Sequence, residues 1–136
     1  MINMVNAAVI RDGDLLIVKE KGRNLWILPG GEILPGETEE QCLSRKLYGE
    51  SAEINPKKAF TFFKRIESES PDHNDVVSVA VYIINAFRRP DIESCLRVKD
   101  DLAGIVWAYD PVIYHLSDVT WKIAMLLRRE GHIKKT

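Results

Sequence analysis

The order of apolar and polar residues predicts that the chain opens with short β-strands. Two apolar runs, residues 6–10 and 15–18, flank the polar segment 11–14, whose Asp-Gly pair is typical of a hairpin turn. A third apolar run, residues 25–28, ends at Pro29 and two glycines. Proline cannot donate a hydrogen bond to a sheet and glycine adopts unusual backbone angles, so we expect a strand that enters a tight loop.

Helical periodicity follows this loop. Thr38 and Gln41 match a capping box, in which two side chains satisfy free backbone N–H groups at the start of a helix. Three apolar residues then recur at the spacing of one buried stripe, and Pro56 blocks continuation of the helix: Cys42, Leu43 and Leu47. We therefore predict a helix over residues 39 to about 52.

The second half of the chain repeats the change from strands to a helix. Residues 59–66 and 76–87 are rich in β-branched and aromatic side chains and predict two long strands, joined by a polar loop over residues 67–75. Residues 104–107 predict a last strand, and residues 119–129 have helical periodicity. Because each helix must bury one face, this order predicts an α+β fold with a mixed central sheet and flanking helices.

Composition changes this picture little. The chain has 136 residues, of which 46% are hydrophobic, which predicts one domain over residues 1–136. No run of about 18 apolar residues and no basic leader is present, so we expect a cytoplasmic protein that does not span a membrane. The two cysteines have no spacing suited to zinc and are expected to be reduced thiols.

The charge balance excludes a strong general attraction to anions. Lys and Arg number 19 against 20 Asp and Glu, which gives a formal net charge of −1. This value gives no strong signal for binding of nucleic acid. An anionic ligand must therefore be bound by local groups.

Residues 28–54 carry a pattern that resembles the Nudix box, the signature of the Nudix hydrolase superfamily that includes MutT. Gly31, Glu37, Arg45, Leu47 and Glu50 stand at the spacings of that box. The resemblance implies an α/β/α sandwich and hydrolysis of the pyrophosphate bond of a nucleoside diphosphate linked to another moiety. It also implies that Mg²⁺ or Mn²⁺ is the cofactor.

The chain departs from the box at the positions that bear charge. Lys46 and Gly49 replace two of its three glutamates, Ala52 replaces a glycine, and Glu53 stands at an apolar position. On a continuous helix Lys46 can pair with Glu50, either as a solvated ion pair or as part of a remodelled phosphate site. Glycine in a helix interior costs about 1 kcal/mol relative to alanine, so Gly49 indicates either close approach of a ligand or drift after loss of function.

The resemblance, together with the charges of the residues that depart from it, assigns candidate roles to individual residues. It implies that Glu50 is catalytic, with Glu37 and Arg45 as a brace between loop and helix. The candidate metal ligands are Glu50, the Gly30 carbonyl, Glu53 at a rebuilt site and Asp101 before the last strand. The candidate contacts to a phosphorylated substrate are Lys46, Arg23 and Gly31.

Three functions are consistent with these residues. The first is a metal-dependent Nudix-type pyrophosphohydrolase whose activity is weak or altered by the lost glutamates. The second is an inactive module that binds a nucleotide or another phosphorylated ligand, with Lys46 in place of the metal. The third is a protein-interaction domain that reuses only the fold, and the sequence leaves a homodimer open.

Overall fold

The computed structural model describes residues 1–49, 60–70, 75–98 and 101–134. Within these ranges it contains six strands: β1 (Ile2–Arg11), β2 (Asp14–Glu20), β3 (Gly30–Glu32), β4 (Thr61–Ser70), β5 (Asp75–Asn85) and β6 (Leu102–Ala108). The α-helices of the same ranges are α1 (Glu39–Tyr48), α2 (Asp91–Arg97) and α3 (Asp118–Arg129), and a short 3₁₀ turn spans Pro111–Ile113.

The strands form one mixed sheet in the order β4-β5-β1-β2-β6, and β3 pairs with β1 outside this path. β1 and β5 are parallel, whereas the other pairs are antiparallel. β1 lies inside the sheet because it is apolar on both faces, with four fully buried residues: Val5, Ala7, Ala8 and Val9.

Helices cover both faces of the sheet. Leu43 and Leu47 of α1 and Ile92 of α2 belong to the core cluster on one face, and Ile123 and Leu127 of α3 belong to the cluster on the other. The predicted α+β class and the α/β/α sandwich are confirmed. None of the helices within the described ranges is long and apolar enough to cross a lipid bilayer.

Two local predictions are confirmed in detail. The hairpin between β1 and β2 turns at Asp12 and Gly13, with φ of 52° and 82°, as a two-residue turn with positive φ requires. At the start of α1, the Thr38 hydroxyl oxygen accepts from Gln41 N at 3.1 Å and the Gln41 side-chain oxygen accepts from Thr38 N at 2.9 Å. The capping box therefore defines the start of the helix.

The predicted end of α1 is wrong. The helix ends at Tyr48, and Gly49 has φ of 93° and ψ of 171° while its N–H donates to the Arg45 carbonyl oxygen. These angles are open almost only to glycine. Gly49 therefore ends the helix rather than weakening its interior. Ala52 and Pro56 lie outside the described residues.

Three further predictions need correction. A strand was predicted over residues 25–28, but Trp26 and Ile27 form isolated bridges. The strand of this region is β3, which includes both glycines that were expected in a loop. β4 continues through Ser70, because polar residues predicted as a loop pair with β5 at the edge of the sheet. α2 was not predicted, since its seven residues are too short for a clear periodic signal.

Candidate active site

The site is built where β1 changes its partner. The first half of β1 pairs with β3, with Asn6 opposite Gly30, while its end pairs with β2, with Ile10 opposite Leu15. β2 and β3 therefore diverge along β1. Gly30 has φ of 152°, and a Cβ there would clash with the Val5 carbonyl oxygen. Only glycine allows β3 to approach β1 so closely.

A cavity of about 600 Å³ lies between the sheet and the start of α3. Its apolar wall comes mainly from β1, β5 and the segment that leads into α3: Met4, Val77, Val79, Leu116 and Val119. Its polar groups come from several elements: Asn6, Glu20, Lys46, Glu69, His115 and Asp118. This volume and this mixture of apolar and polar walls are typical of small-molecule sites.

A smaller cavity of about 70 Å³ adjoins the same turn. Its lining includes Glu20, Lys46 and Asp101, together with Gly30. Asp101 is held at the start of β6, where its carbonyl oxygen accepts from Lys21 N at 2.9 Å. Lys46 and Gly30 also line the larger cavity, so they lie between the two.

Glu37 and Arg45 form the strongest charge pair of the site. Arg45 donates through Nε to one Glu37 carboxylate oxygen at 2.7 Å and through Nη2 to the other at 3.0 Å. Glu37 also accepts from Leu34 N at 3.0 Å. The bond from Arg45 lowers the pKa of Glu37 to about 2, so the carboxylate is charged and the pair braces the loop against α1, as the resemblance implies.

Cys42 fixes α1 to β3 from the buried side. Its Sγ donates to the Glu32 carbonyl oxygen at 3.5 Å, and the residue is fully buried. Burial raises the pKa of the thiol to about 11, and the nearby Glu37 charge acts in the same direction. Cys42 therefore remains a neutral thiol that positions the helix rather than a nucleophile.

Lys46 lies against β3 at the position that the box reserves for an acid. A Cβ on Gly31 would clash with the Lys46 side chain and would stand 3.0 Å from its Nζ. Glycine at this position therefore leaves room for the lysine. An ammonium here repels a divalent cation.

The described residues do not supply a metal site on their own. They contain no group of three or more His, Cys, Asp or Glu side chains that could hold a metal ion. Around the turn they provide Glu20 and Asp101 beside the positive charge of Lys46. Hard cations prefer several converging oxygen ligands, so these residues alone do not fit Mg²⁺ or Mn²⁺.

The predicted site residues divide into three groups. Gly30, Gly31, Lys46 and the pair of Glu37 and Arg45 come together around β3 and α1, and Asp101 joins them at the smaller cavity. Arg23 is exposed in the segment after β2 and does not line either cavity. Glu50 and Glu53 lie outside the described residues, so their roles stay predictions.

Sequence reasoning missed several residues that line the larger cavity. Asn6, Leu116 and Asp118 come from separate elements and match no motif. One signal was present, because Asn6 is a polar residue inside the apolar run of β1. Such a residue in a buried strand indicates either a hydrogen-bonded core position or a ligand contact.

A family comparison decides what this architecture is. Residues 3–107 match the family model described as NUDIX domain. The chain belongs to the NUDIX domain family. The match includes β3 and α1, so the departures at Lys46 and Gly49 are substitutions within a Nudix fold.

Solved structures of Nudix proteins have the same fold. A MutT NUDIX hydrolase from Burkholderia pseudomallei is 20% identical, with a TM-score of 0.65 over 92% of this chain and 95% of the other. A NUDIX hydrolase from Nitrosomonas europaea is 15% identical, with a TM-score of 0.68 over 97% and 91%.

A third similar structure was solved with ligands. It is a bifunctional NMN adenylyltransferase/ADP ribose pyrophosphatase from Francisella tularensis, complexed with AMP and a Mn ion. It is 20% identical, with a TM-score of 0.64 over 95% of this chain and 41% of the other. No curated protein matches the chain.

Proposed function

We propose that this Nudix chain is a hydrolase of altered activity that splits the pyrophosphate bond of a nucleoside diphosphate linked to another group. The observation that supports this proposal is the position of Lys46 beside Gly30 and Gly31, at the wall of the cavity of about 600 Å³. In the reaction, a water oxygen bonds to one phosphorus and the bridging P–O bond breaks. The bridging oxygen leaves with the other phosphate.

In this proposal Lys46 binds the diphosphate. The protein has a net charge of −1, so its overall field does not attract the ligand and a local cation is needed. A lysine ammonium donates up to three hydrogen bonds and pairs well with phosphate oxygens. The brace between Glu37 and Arg45 holds the loop that precedes α1 and so keeps Lys46 at β3.

Mg²⁺ or Mn²⁺ enters this proposal as a prediction from the resemblance. Glu50 is the proposed catalytic and metal-binding acid, and the Gly30 carbonyl, Glu53 and Asp101 are the proposed further ligands. The bound Mn ion and AMP of the Francisella protein support Mn²⁺ and an adenine nucleotide as probes. Because the described residues alone do not fit the metal, binding of the nucleotide has to be measured both with and without it.

A second candidate is a module that binds the same ligand without cleaving it. The specific observation in its favour is that the Lys46 ammonium stands at the turn where the resemblance expects the cation. A fixed positive charge can neutralise phosphate without a metal. This candidate predicts binding in the presence of EDTA and no turnover with either metal.

ADP-ribose is a suitable probe for both candidates. We would measure its binding by isothermal titration calorimetry in EDTA, Mg²⁺ and Mn²⁺, and its cleavage by chromatography of the products. The variants are Lys46→Gln and Glu50→Gln. Lys64→Gln is the control, because the Lys64 ammonium pairs with Glu130, which directly follows α3, at 2.8 Å. A charge-assisted hydrogen bond contributes about 1.5–3 kcal/mol, so Lys46→Gln should weaken binding about tenfold or more.

The outcomes separate the candidates. Metal-dependent cleavage that Glu50→Gln abolishes, with unchanged melting temperature, supports the hydrolase. Binding without cleavage under any condition overturns the hydrolase and supports the binding module. If neither ADP-ribose nor free nucleoside diphosphates bind to the wild-type protein, both candidates are wrong.

A further inference from the structure

Asn6 is a buried polar residue within an apolar strand. It is 8% exposed, and its neighbours in the chain, Val5 and Ala7, are fully buried toward the opposite face. Met4, two residues earlier, lies on the same face of β1 as Asn6, and both residues line the large cavity. The side chain of Asn6 therefore faces this cavity.

Within the part of the chain that the structure describes, the Asn6 amide has no hydrogen-bond partner, and its atoms are not among the fully buried side-chain atoms that lack one, so they are accessible to solvent. An accessible amide that has no protein partner can bond to a ligand in the cavity. Apolar side chains of β1 and β5 form the core on the rest of this face, so the amide makes no contribution to that apolar packing. The Asn6 amide is thus placed to bond to a ligand that fills the cavity.

We propose that Asn6 recognises the amine-bearing edge of adenine in the ligand of the proposed hydrolase. An asparagine amide presents a donor beside an acceptor, which matches the N7 acceptor and N6 amine of adenine. This inference rests on the proposed function, because it assigns the base end of the same nucleotide. It adds a specificity-determining residue that no box position supplies.

Two acidic residues of the cavity favour the same edge. Glu69 and Asp118 line the cavity that Asn6 faces. Carboxylates accept hydrogen bonds from the 6-amine of adenine and are repelled by the carbonyl oxygen that stands at the same position in a 6-oxopurine. The apolar walls of the cavity contact the faces of the base, as aromatic rings require for burial.

Asn6 and Lys46 line the same cavity. A Cβ on Gly30 would stand 2.8 Å from the Asn6 Oδ1, and a Cβ on Gly31 would stand 3.0 Å from the Lys46 Nζ. Successive residues of a strand point to opposite faces, so the two groups approach β3 from different sides, and the larger cavity is what they share. A nucleotide bound in the cavity places its base at Asn6 and its diphosphate at Lys46.

The experiment compares two ligands and three proteins. We would titrate ADP and purine riboside 5′-diphosphate, which lacks only the 6-amino group, into the wild type, Asn6→Leu and Asn3→Leu. Asn3 is the matched control, because it lies on the same strand but is exposed. The wild type and Asn3→Leu should prefer ADP about tenfold, and Asn6→Leu should bind both ligands equally, as expected for one hydrogen-bonded amine.

Stability separates ligand recognition from a structural role. Because leucine fits the apolar face of the sheet, Asn6→Leu should melt at the same or a higher temperature than the wild type while it loses the preference. Equal binding of the two ligands by the wild type overturns the inference even if the variant does not fold. A preference that survives in Asn6→Leu also overturns it, and both results leave the proposed function intact. Failure of every nucleoside diphosphate to bind overturns the proposed function itself.

Discussion

The pair of Glu37 and Arg45 shows how single residues organise this site. Its two hydrogen bonds join the loop before α1 to the helix, and the Glu37 side chain is 13% exposed. The spacing of the two residues in the sequence was enough to predict the contact, because it comes with the family resemblance. Asn6 had no such pattern, and its importance became visible only when the cavity placed it opposite α3.

The charge of Glu37 should make stability depend on pH. Its pKa in the folded protein is lowered from the ordinary value of 4.5 to about 2, mainly by the hydrogen bond from Arg45. The folded state therefore gains stability from this carboxylate above pH 4.5, and that gain is lost as the pH falls toward about 2. Allowing for solvent screening, we expect Glu37→Gln to lower the free energy of unfolding at pH 7 by about 1–2 kcal/mol.

Urea denaturation at pH 7, at pH 4 and near pH 2.5 checks this expectation. The difference between the wild type and Glu37→Gln should shrink as the pH falls, because the wild-type carboxylate becomes protonated. Glu32→Gln, which changes an exposed carboxylate on β3, serves as the control. A difference that is the same at all three pH values would contradict the assigned cause.

At the scale of elements, α1 shows both the success and the limit of local sequence patterns. Its start was predicted from the capping box, which is a contact between residues three positions apart. Its end was misplaced, because Gly49 was interpreted as a weak point in a longer helix. Two interpretations of one glycine predict opposite effects on stability.

Replacement of Gly49 by alanine distinguishes the two interpretations. In a helix interior the change would stabilise the protein by about 1 kcal/mol. At φ of 93° and ψ of 171° a side chain is strained, although among the described residues no atom lies within 4 Å of the new Cβ. We therefore expect Gly49→Ala to lower the free energy of unfolding by about 1–3 kcal/mol.

Equilibrium denaturation measures the sign of this change. Gly36→Ala is a useful comparison, because Gly36 has φ of 79° in equally open space and should also lose stability. An increase in stability for Gly49→Ala would show that α1 continues through this position in solution.

At the scale of the whole molecule, one sheet carries two hydrophobic cores. Leu43 on α1 and Leu127 on α3 are fully buried in different clusters on opposite faces. β1 contributes side chains to both clusters, so neither core forms without the shared strands. We propose that the chain unfolds as one cooperative domain.

Truncation of either core tests this proposal. Leu43→Ala and Leu127→Ala should each lower the free energy of unfolding by about 2–5 kcal/mol. Tryptophan fluorescence and far-UV circular dichroism should report one midpoint in each variant. Leu34→Ala, which changes a side chain that is 50% exposed, should have little effect. Two separate transitions in either core variant would show that the faces unfold independently.

The sequence by itself determined the local features of this protein. The hairpin turn, the capping box and the apolar strands each depend on residues that are neighbours in the chain, and the spacing of Gly31, Glu37 and Arg45 indicated the family. Only the tertiary structure decided that β1 pairs in parallel with β5, that β3 lies against β1, and that Asn6 and Lys46 share one cavity. These arrangements depend on packing between segments far apart in the chain, which no short pattern encodes.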